Sequence, residues 1–172
     1  MPNVSAGFIL GLPANVTLPF DVGEFEGYSE LWLPSRNSSV RHARRHLRDL
    51  MAIWGAFDDA AARHFTEIGQ LVLSELVTNA VRHAEPAVSE SGIHVLFLYG
   101  EPGLQLSVSD GDAERLPTTQ PEDTLGDHGR GLAIVTSLCA HWDCHPRKSR
   151  AGKTVRALIA PPAPPARQWS TA

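Results

Sequence analysis

The chain has 172 residues, of which 42% are hydrophobic and 20% charged, with a formal net charge of −4 at pH 7. This length suits a single domain with a sizeable core, and the acidic balance argues against direct nucleic-acid binding, which normally needs a basic surface. No apolar run approaches the ~20 residues of a membrane span, and no basic region precedes Phe8–Leu10 as it would in a signal peptide. The two cysteines fit reduced thiols. We therefore expect a cytoplasmic protein.

The first elements follow a lead-in rich in Gly, Pro and Asn. Residues 1–26 show no periodicity and are predicted to be a flexible segment. An edge strand is predicted over Tyr28–Leu33, ending at Pro34, because proline cannot donate to a strand ladder. Ser38 or Ser39 is expected to cap a helix over Val40–Trp54. Its apolar stripe consists of Val40, Ala43, Leu47, Leu50 and Met51.

A second, longer helix is predicted over Asp59–Ala84, with Pro86 ending it. Two strands follow, joined as a hairpin through Gly100–Gly103, and residues 110–128 are predicted to form a mobile loop. The hairpin strands and the remaining elements are Ile93–Tyr99, Leu104–Ser109, a helix over Gly131–Ala140, and strands over Trp142–His145 and Thr154–Ala160. Residues 161–172 are predicted to be a disordered Pro-rich tail.

This order of elements predicts the fold class. Two helices, a hairpin, a helix and two more strands indicate an α+β protein. We expect a two-layer α/β sandwich, in which helices cover one face of a mixed, mostly antiparallel sheet. The domain is predicted to span residues 27–160.

Three polar residues recur on the second predicted helix. Glu75, Asn79 and His83 are spaced i, i+4 and i+8, so they share a face of an otherwise apolar helix. Burying them without partners would cost roughly 1–3 kcal/mol each. A bound metal ion and phosphate would supply such partners. The alternative is a partly exposed helix face with ordinary polar residues.

Two further segments carry chemistry. Asp110-Gly111 follows a predicted strand, where a carboxylate is suited to accept a hydrogen bond from an exocyclic amine such as that of adenine. The alternative is a simple turn. Gly126–Leu132 is a glycine-rich loop that opens into an apolar helix, and its backbone amides suit phosphate oxygens. The alternative is a loop that uses its glycines as hinges.

In this order, the three segments resemble the N box, G1 box and G2 box of the histidine-kinase-like ATPase superfamily. Within it, the patterns Glu75-x-x-x-Asn79-Ala80-x-x-His83 and Gly129-Arg130-Gly131-Leu132 are most similar to the anti-sigma-factor serine/threonine kinases. The resemblance covers about residues 28–160. It implies a domain that binds ATP and Mg²⁺ and acts as a serine/threonine protein kinase.

The resemblance also implies roles for individual residues. Asn79 would ligate Mg²⁺ through its amide oxygen, and Glu75 would act as general base or orient the attacking hydroxyl group. Asp110 would bind the adenine amine. The other nucleotide-binding positions implied are Arg82 and His83 near the phosphates, Gly111, the lid residues Gly129, Arg130, Gly131 and Leu132, and Thr154 near the adenine.

One segment departs from the family pattern. The superfamily often has Asp-x-Gly-x-Gly at the G1 box, whereas this chain has Asp112 and Glu114 at the two later glycine positions. These acids add negative charge near an anionic ligand and leave a weakened nucleotide site as one alternative. The presence of Glu75 and Asn79 together favours a working site.

The resemblance implies two protein partners. A small antagonist of the STAS type would be the kinase substrate, and a sigma factor would be held inactive by binding. The oligomeric state stays open between a monomer and a homodimer. The second functional hypothesis is a sequestering module without kinase turnover. A third, the catalytic domain of a sensor histidine kinase, is disfavoured because no dimerising phosphoacceptor helix pair precedes the domain.

Two other clusters have ordinary explanations. Cys139–His145 contains four soft-metal ligands, but they straddle a helix end and a strand, so core cysteines and surface histidines are favoured over a zinc site. Arg41–Arg48 is a basic stretch of the first helix. A solvated helix face is favoured there over a docking surface for an acidic partner.

Overall fold

The computed structural model describes residues 25–55, 60–83, 92–111, 130–147 and 152–162. It contains the elements β1 (Phe25–Leu33), α1 (Ser38–Ile53), α2 (Ala60–His83), β2 (Ile93–Gly100), β3 (Gly103–Ser109), α3 (Arg130–Leu138), β4 (His141–Pro146) and β5 (Lys153–Ile159). Each predicted element is present, with shifts of a few residues at the ends. The predicted flexible lead-in, loop and tail lie almost wholly outside the described residues.

The five strands form one sheet in the order β1-β2-β3-β5-β4, and each neighbouring pair is antiparallel. The expected α+β class is confirmed, and β1 lies at an edge, as predicted. Strands β3 and β5 are neighbours although α3 and β4 separate them in the chain. The start of β3 therefore meets the end of β5, and the end of β3 meets the start of β5.

The first strand begins earlier than predicted, at Phe25 instead of Tyr28. Phe25 is 2% exposed and packs with Leu96 and Leu98 on the sheet face away from the helices. A register shift between Phe25 and Gly27 interrupts the ladder there. That irregularity hides the alternating pattern, which explains why the sequence shows a clear strand only from Tyr28 onwards.

The start of α1 also differs from the prediction. Asn37 occupies the N-cap position without a side-chain capping hydrogen bond, so neither Ser38 nor Ser39 is the cap. Ser39 is fully buried, and its Oγ donates to the carbonyl oxygen of Pro34 at 2.6 Å. This hydroxyl ties the end of β1 to the first turn of α1 instead of capping the helix.

The main core lies between the helices and one sheet face. It joins Ala43 and Leu47 of α1, Val135 of α3 and a long stripe of α2 to alternating residues of the sheet. The buried stripe of α2 and the facing residues of β3 are Val72, Leu73, Leu76, Val77 and Ala80, and Leu104, Leu106 and Val108. Because this stripe of α2 lies on the sheet, the half-buried Glu75 and Asn79 lie along its border.

Gly69 explains how closely α2 approaches the sheet. A Cβ atom at this position would lie 2.8 Å from Leu104 Cδ2 and 3.3 Å from Leu47 Cδ2. A glycine in mid-helix costs about 1 kcal/mol of helix propensity relative to alanine. Here it removes an overlap between α2 and both neighbouring layers. Among the described helices, none is long and apolar enough to cross a membrane.

Candidate functional site

The carboxylate of Glu75 lies against the first turn of α3. A Cβ atom on Gly131 would lie 2.5 Å from Glu75 Oε2 and 3.5 Å from its carboxyl carbon. The Glu75 carboxylate therefore occupies the space that a side chain at residue 131 would need. Gly131 is the second residue of α3. Helix α2 thus brings its acid to the amino end of α3, where unpaired N–H groups and the helix dipole favour negative charge.

The other predicted residues of α2 follow along the helix. Asn79 is half-buried one turn after Glu75, and Arg82 is exposed one turn further on. His83 is the last residue of α2. Glu75 and Asn79 therefore lie in line on the helix, as their spacing predicts.

The predicted lid residues are only partly within the described ranges. Arg130 and Gly131 open α3, and Leu132 is half-buried in the first turn. Gly129 lies outside the described residues. The described part of the predicted lid is thus the start of α3, which packs against α2.

Asp110 lies at the end of β3 and forms a buried ion pair that the sequence analysis missed. Asp110 and Lys153 are each 3% exposed, and Lys153 Nζ lies 3.2 Å from both Oδ1 and Oδ2 of Asp110. The Asp110 N–H also donates to the Lys153 carbonyl oxygen at 3.1 Å. The sequence could have indicated this pair, because Lys153 alternates with the apolar residues Val155 and Ala157 and so shares their buried face of the strand. A buried lysine needs an acidic partner.

Gly152 sets the close approach of β5 to Asp110. Its φ of +126° is in the region that favours glycine, and a Cβ atom there would overlap the carbonyl oxygen of Asp110 and lie 3.1 Å from Gly111 Cα. The start of β5 and the end of β3 are therefore in backbone contact. Gly111, half-buried, is part of this junction.

Thr154 lies on the other face of the sheet. It pairs with Ser109 across β3 and β5, and their hydroxyl oxygens are 2.7 Å apart. Because successive strand residues point to opposite faces, Lys153 points towards Asp110 and Thr154 points away. The Thr154 hydroxyl, predicted to lie near the adenine, is therefore on the sheet face opposite to Lys153, and of these two side chains Lys153 is the one that contacts Asp110.

The two cysteines are half-buried on the helix side of the sheet. Burial raises the pKa of the Cys139 thiol to about 11. Burial also raises the pKa of Cys144 to about 11, although the positive charge of Lys153 opposes this rise and the negative charges of Asp110 and Asp143 support it. Both thiols are therefore protonated at neutral pH, and Cys144 lies within electrostatic reach of the Asp110–Lys153 pair.

A separate charged cluster lies on the opposite face of β4. Asp143 accepts hydrogen bonds from Arg156 at 2.8 and 2.9 Å, and His145 Nε2 lies 3.1 Å from its Oδ1. Asp143 and Cys144 thus point to different faces of one strand. Within the described ranges, no three His, Cys, Asp or Glu side chains form a group that could hold a metal ion.

Comparisons with known proteins agree with this architecture. A family model described as a histidine kinase-like ATPase domain matches residues 33–159. No curated protein matches the chain. Among solved structures, the chain is similar to the RsbU and RsbW domains of Rv1364c from Mycobacterium tuberculosis, with 23% sequence identity and a TM-score of 0.57.

That structural likeness covers 80% of this chain and 33% of the other, so the matched region is about a third of the length of that solved chain. At this identity, the likeness supports the fold alone. The family match covers most of the chain and includes Glu75, Asn79, Asp110 and Gly131. The chain therefore belongs to the histidine kinase-like ATPase domain family.

Proposed function

We propose that this domain is a cytoplasmic Mg–ATP-dependent serine/threonine protein kinase that acts as an anti-sigma factor. The observation that carries the proposal is the Glu75 carboxylate packed against Gly131 at the amino end of α3. The amino end of a helix is suited to phosphate, so this contact puts an acid beside the place where phosphates would bind. Membership of the histidine kinase-like ATPase domain family supports nucleotide binding by this chain.

The residues present fit a magnesium nucleotide. Asn79, one turn from Glu75, offers an amide oxygen, which is a hard ligand of the kind Mg²⁺ prefers. Asp110 offers a carboxylate for the adenine amine, and Gly111 allows close backbone approach beside it. Arg82, His83, Gly129, Arg130, Gly131 and Leu132 are the proposed phosphate and lid positions. Bound Mg²⁺ would neutralise charge that develops on the transferred phosphoryl group.

Glu75 is the proposed catalytic residue. As the substrate hydroxyl oxygen attacks the terminal phosphorus, its proton passes to a Glu75 carboxylate oxygen, and the bond between that phosphorus and the bridging oxygen of ADP breaks. A positioned general base contributes typically 10²–10⁴-fold to such a step. The contact with Gly131 holds this carboxylate near the lid instead of leaving it in solvent.

The proposed partners follow from the motif resemblance. The pattern Glu75-x-x-x-Asn79 with Gly129-Arg130-Gly131-Leu132 is most similar to that of anti-sigma-factor kinases, which favours a STAS-type antagonist as substrate. A sigma factor would be the second partner, held by binding alone. The structural likeness to a chain that contains an RsbW domain is consistent with this assignment.

A second candidate function is a sequestering module without kinase turnover. The feature that favours it is the presence of Asp112 and Glu114 at the two later glycine positions of the G1 box, because these acids add negative charge near an anionic ligand. This candidate predicts partner binding that does not depend on phosphotransfer.

Calorimetric titration of ATP with and without Mg²⁺ tests the nucleotide site. We expect Mg-dependent binding by the wild type that Asn79→Ala abolishes. Glu67→Gln is the matched control, because it removes an exposed carboxylate two turns before Glu75 on the same helix. Absence of ATP binding by the wild type would contradict the kinase proposal and favour sequestration.

Phosphate transfer from labelled ATP to STAS-domain proteins of the same genome tests the catalytic role. Glu75→Gln should keep ATP binding and lose about 10²–10⁴-fold in transfer rate, since only the proton acceptor is removed. Partner binding should persist in this variant. Unchanged transfer by Glu75→Gln would contradict the role of Glu75 while leaving the nucleotide site intact.

A further inference from the structure

We propose that Lys153 is a second base-recognition residue of the nucleotide site, which donates a hydrogen bond to ring nitrogen N1 of adenine while Asp110 accepts one from the amine at position six. The inference rests on the proposed function, because it assumes that Asp110 contacts the base. It concerns a residue that neither the motif resemblance nor the sequence pattern singled out.

The geometry places a donor and an acceptor side by side. Lys153 Nζ lies 3.2 Å from each carboxylate oxygen of Asp110, and both residues are almost fully buried. The contact between these two side chains is supported by contacts between their main chains. The backbone hydrogen bond from Asp110 to Lys153 and the close approach of Gly152 to Asp110 fix the two main chains against each other.

The chemistry of the pair matches one edge of adenine. That edge presents an N–H donor at position six beside an acceptor at N1, and a carboxylate beside an ammonium group presents the complementary acceptor and donor. An ammonium group carries three N–H donors and a carboxylate about four acceptor positions, so the two groups can contact each other and a third group at the same time. Inosine reverses both groups, with an oxygen at position six and N–H at N1.

A purely structural role explains the lysine less well. Replacing a buried ion pair by apolar residues is often neutral or stabilising, so stability alone gives weak reason for burying both charges. The neighbouring hydroxyl of Thr154 faces the opposite side of the sheet, where it contacts Ser109. Lys153 is therefore the side chain of this stretch of β5 that reaches the proposed base-binding carboxylate.

The test is calorimetric binding of three nucleotides, ATP, inosine triphosphate and 1-deaza-ATP, in which N1 is replaced by C–H. We expect the wild type to bind 1-deaza-ATP about 10–100-fold more weakly than ATP, as for loss of one hydrogen bond from a charged donor. Lys153→Met should bind ATP and 1-deaza-ATP equally. Arg156→Met is the matched control, because it removes a cation from the opposite face of β5 and should keep the wild-type ratio.

Removing Lys153 alone leaves a buried carboxylate without its cation, so this variant can fail to fold. The double variant Asp110→Asn with Lys153→Met avoids that charge and should also lose the preference for ATP over 1-deaza-ATP. The comparison of the two nucleotides on the wild type needs no variant. Circular dichroism of each variant checks that it is folded.

The outcomes separate this inference from the proposed function. Equal affinity of the wild type for ATP and 1-deaza-ATP would overturn the role of Lys153 while leaving ATP binding established. A folded Lys153→Met that keeps the wild-type ratio would overturn it as well, because another group would then contact N1. Loss of the preference for ATP over inosine triphosphate would contradict the role of Asp110, and no binding of any nucleotide would overturn both proposals.

Discussion

The carboxylate of Glu75 occupies the space in which a side chain on Gly131 would begin, with 2.5 Å between Oε2 and the ideal Cβ position. The two residues are far apart in the chain and come from different helices. Their contact couples the position of the proposed general base to the start of the proposed lid. A methyl group at residue 131 therefore probes the site directly.

Gly131→Ala should lower phosphotransfer by about 10²-fold, the loss expected for a misplacement of ~1 Å in a reacting group. The added methyl group displaces the Glu75 carboxylate, which is the end of a flexible side chain. Alanine has a higher helix propensity than glycine, and the displaced group is the end of a flexible side chain, so we expect the melting temperature not to fall. Transfer assays and thermal unfolding measure the two effects.

Glu75→Asp gives the control for this prediction. A shorter acid leaves room for the methyl group, so Gly131→Ala should cost less in the Glu75→Asp background than in the wild type. Equal costs in both backgrounds would mean that the glycine acts independently of Glu75.

Gly152→Ala should destabilise the protein much more than Gly55→Ala. Both glycines have positive φ, which costs about 1–2 kcal/mol for an L-residue in the left-handed region. Among the residues that the structure describes, nothing lies within 4 Å of a Cβ at Gly55, whereas a Cβ at Gly152 would overlap the Asp110 carbonyl oxygen. Denaturant unfolding of the two variants separates backbone strain from overlap, and similar losses would contradict the tight junction of β3 and β5.

Asp143→Asn should lower the free energy of unfolding by about 2 kcal/mol at pH 7, as for loss of hydrogen bonds to a charged group. Burial alone would raise the Asp143 pKa, but the hydrogen bonds and charges of Arg156 and His145 outweigh it and hold the pKa below its ordinary value of 3.8. The carboxylate therefore stabilises the fold above pH 3.8, and this contribution disappears as pH falls through the lowered pKa.

The pH dependence is the measurement that checks this prediction. The difference between wild type and Asp143→Asn should shrink as unfolding is followed from pH 7 to below pH 3.8. Asp49→Asn is the control, because Asp49 is 57% exposed, lies 3.7 Å from Arg48 and should change stability by less than about 1 kcal/mol. A difference for Asp143→Asn that does not vary with pH would argue against an ionised Asp143.

Alkylation of the cysteines should keep rising with pH beyond the range of an ordinary thiol. Only the thiolate reacts, and burial raises the pKa of Cys139 and of Cys144 to about 11, compared with the ordinary value of 9.0. In folded protein, the iodoacetamide rate should increase about tenfold per pH unit up to about pH 10. Unfolded protein is the control, and a folded rate that levels off near pH 9 would contradict the burial of both thiols.

Local patterns carried most of the fold prediction. The spacing of apolar residues predicted the long helix α2 to within one residue of its observed start and end. This works because an apolar stripe on one helix face depends only on the spacing of residues along the chain. The hairpin of β2 and β3 was predictable for the same reason. The start of β1 was not, because the register shift near Gly27 breaks the alternation that marks a strand.

The sequence by itself determined that Glu75 and Asn79 lie on one face of a helix, since a spacing of four residues in a helix leaves no other arrangement. It could not determine what lies opposite them. Gly131 meets Glu75, and Lys153 meets Asp110 across 43 residues, only because α3 packs on α2 and β5 inserts between β3 and β4. Such contacts depend on burial and on the order of strands in the sheet, which no local spacing encodes.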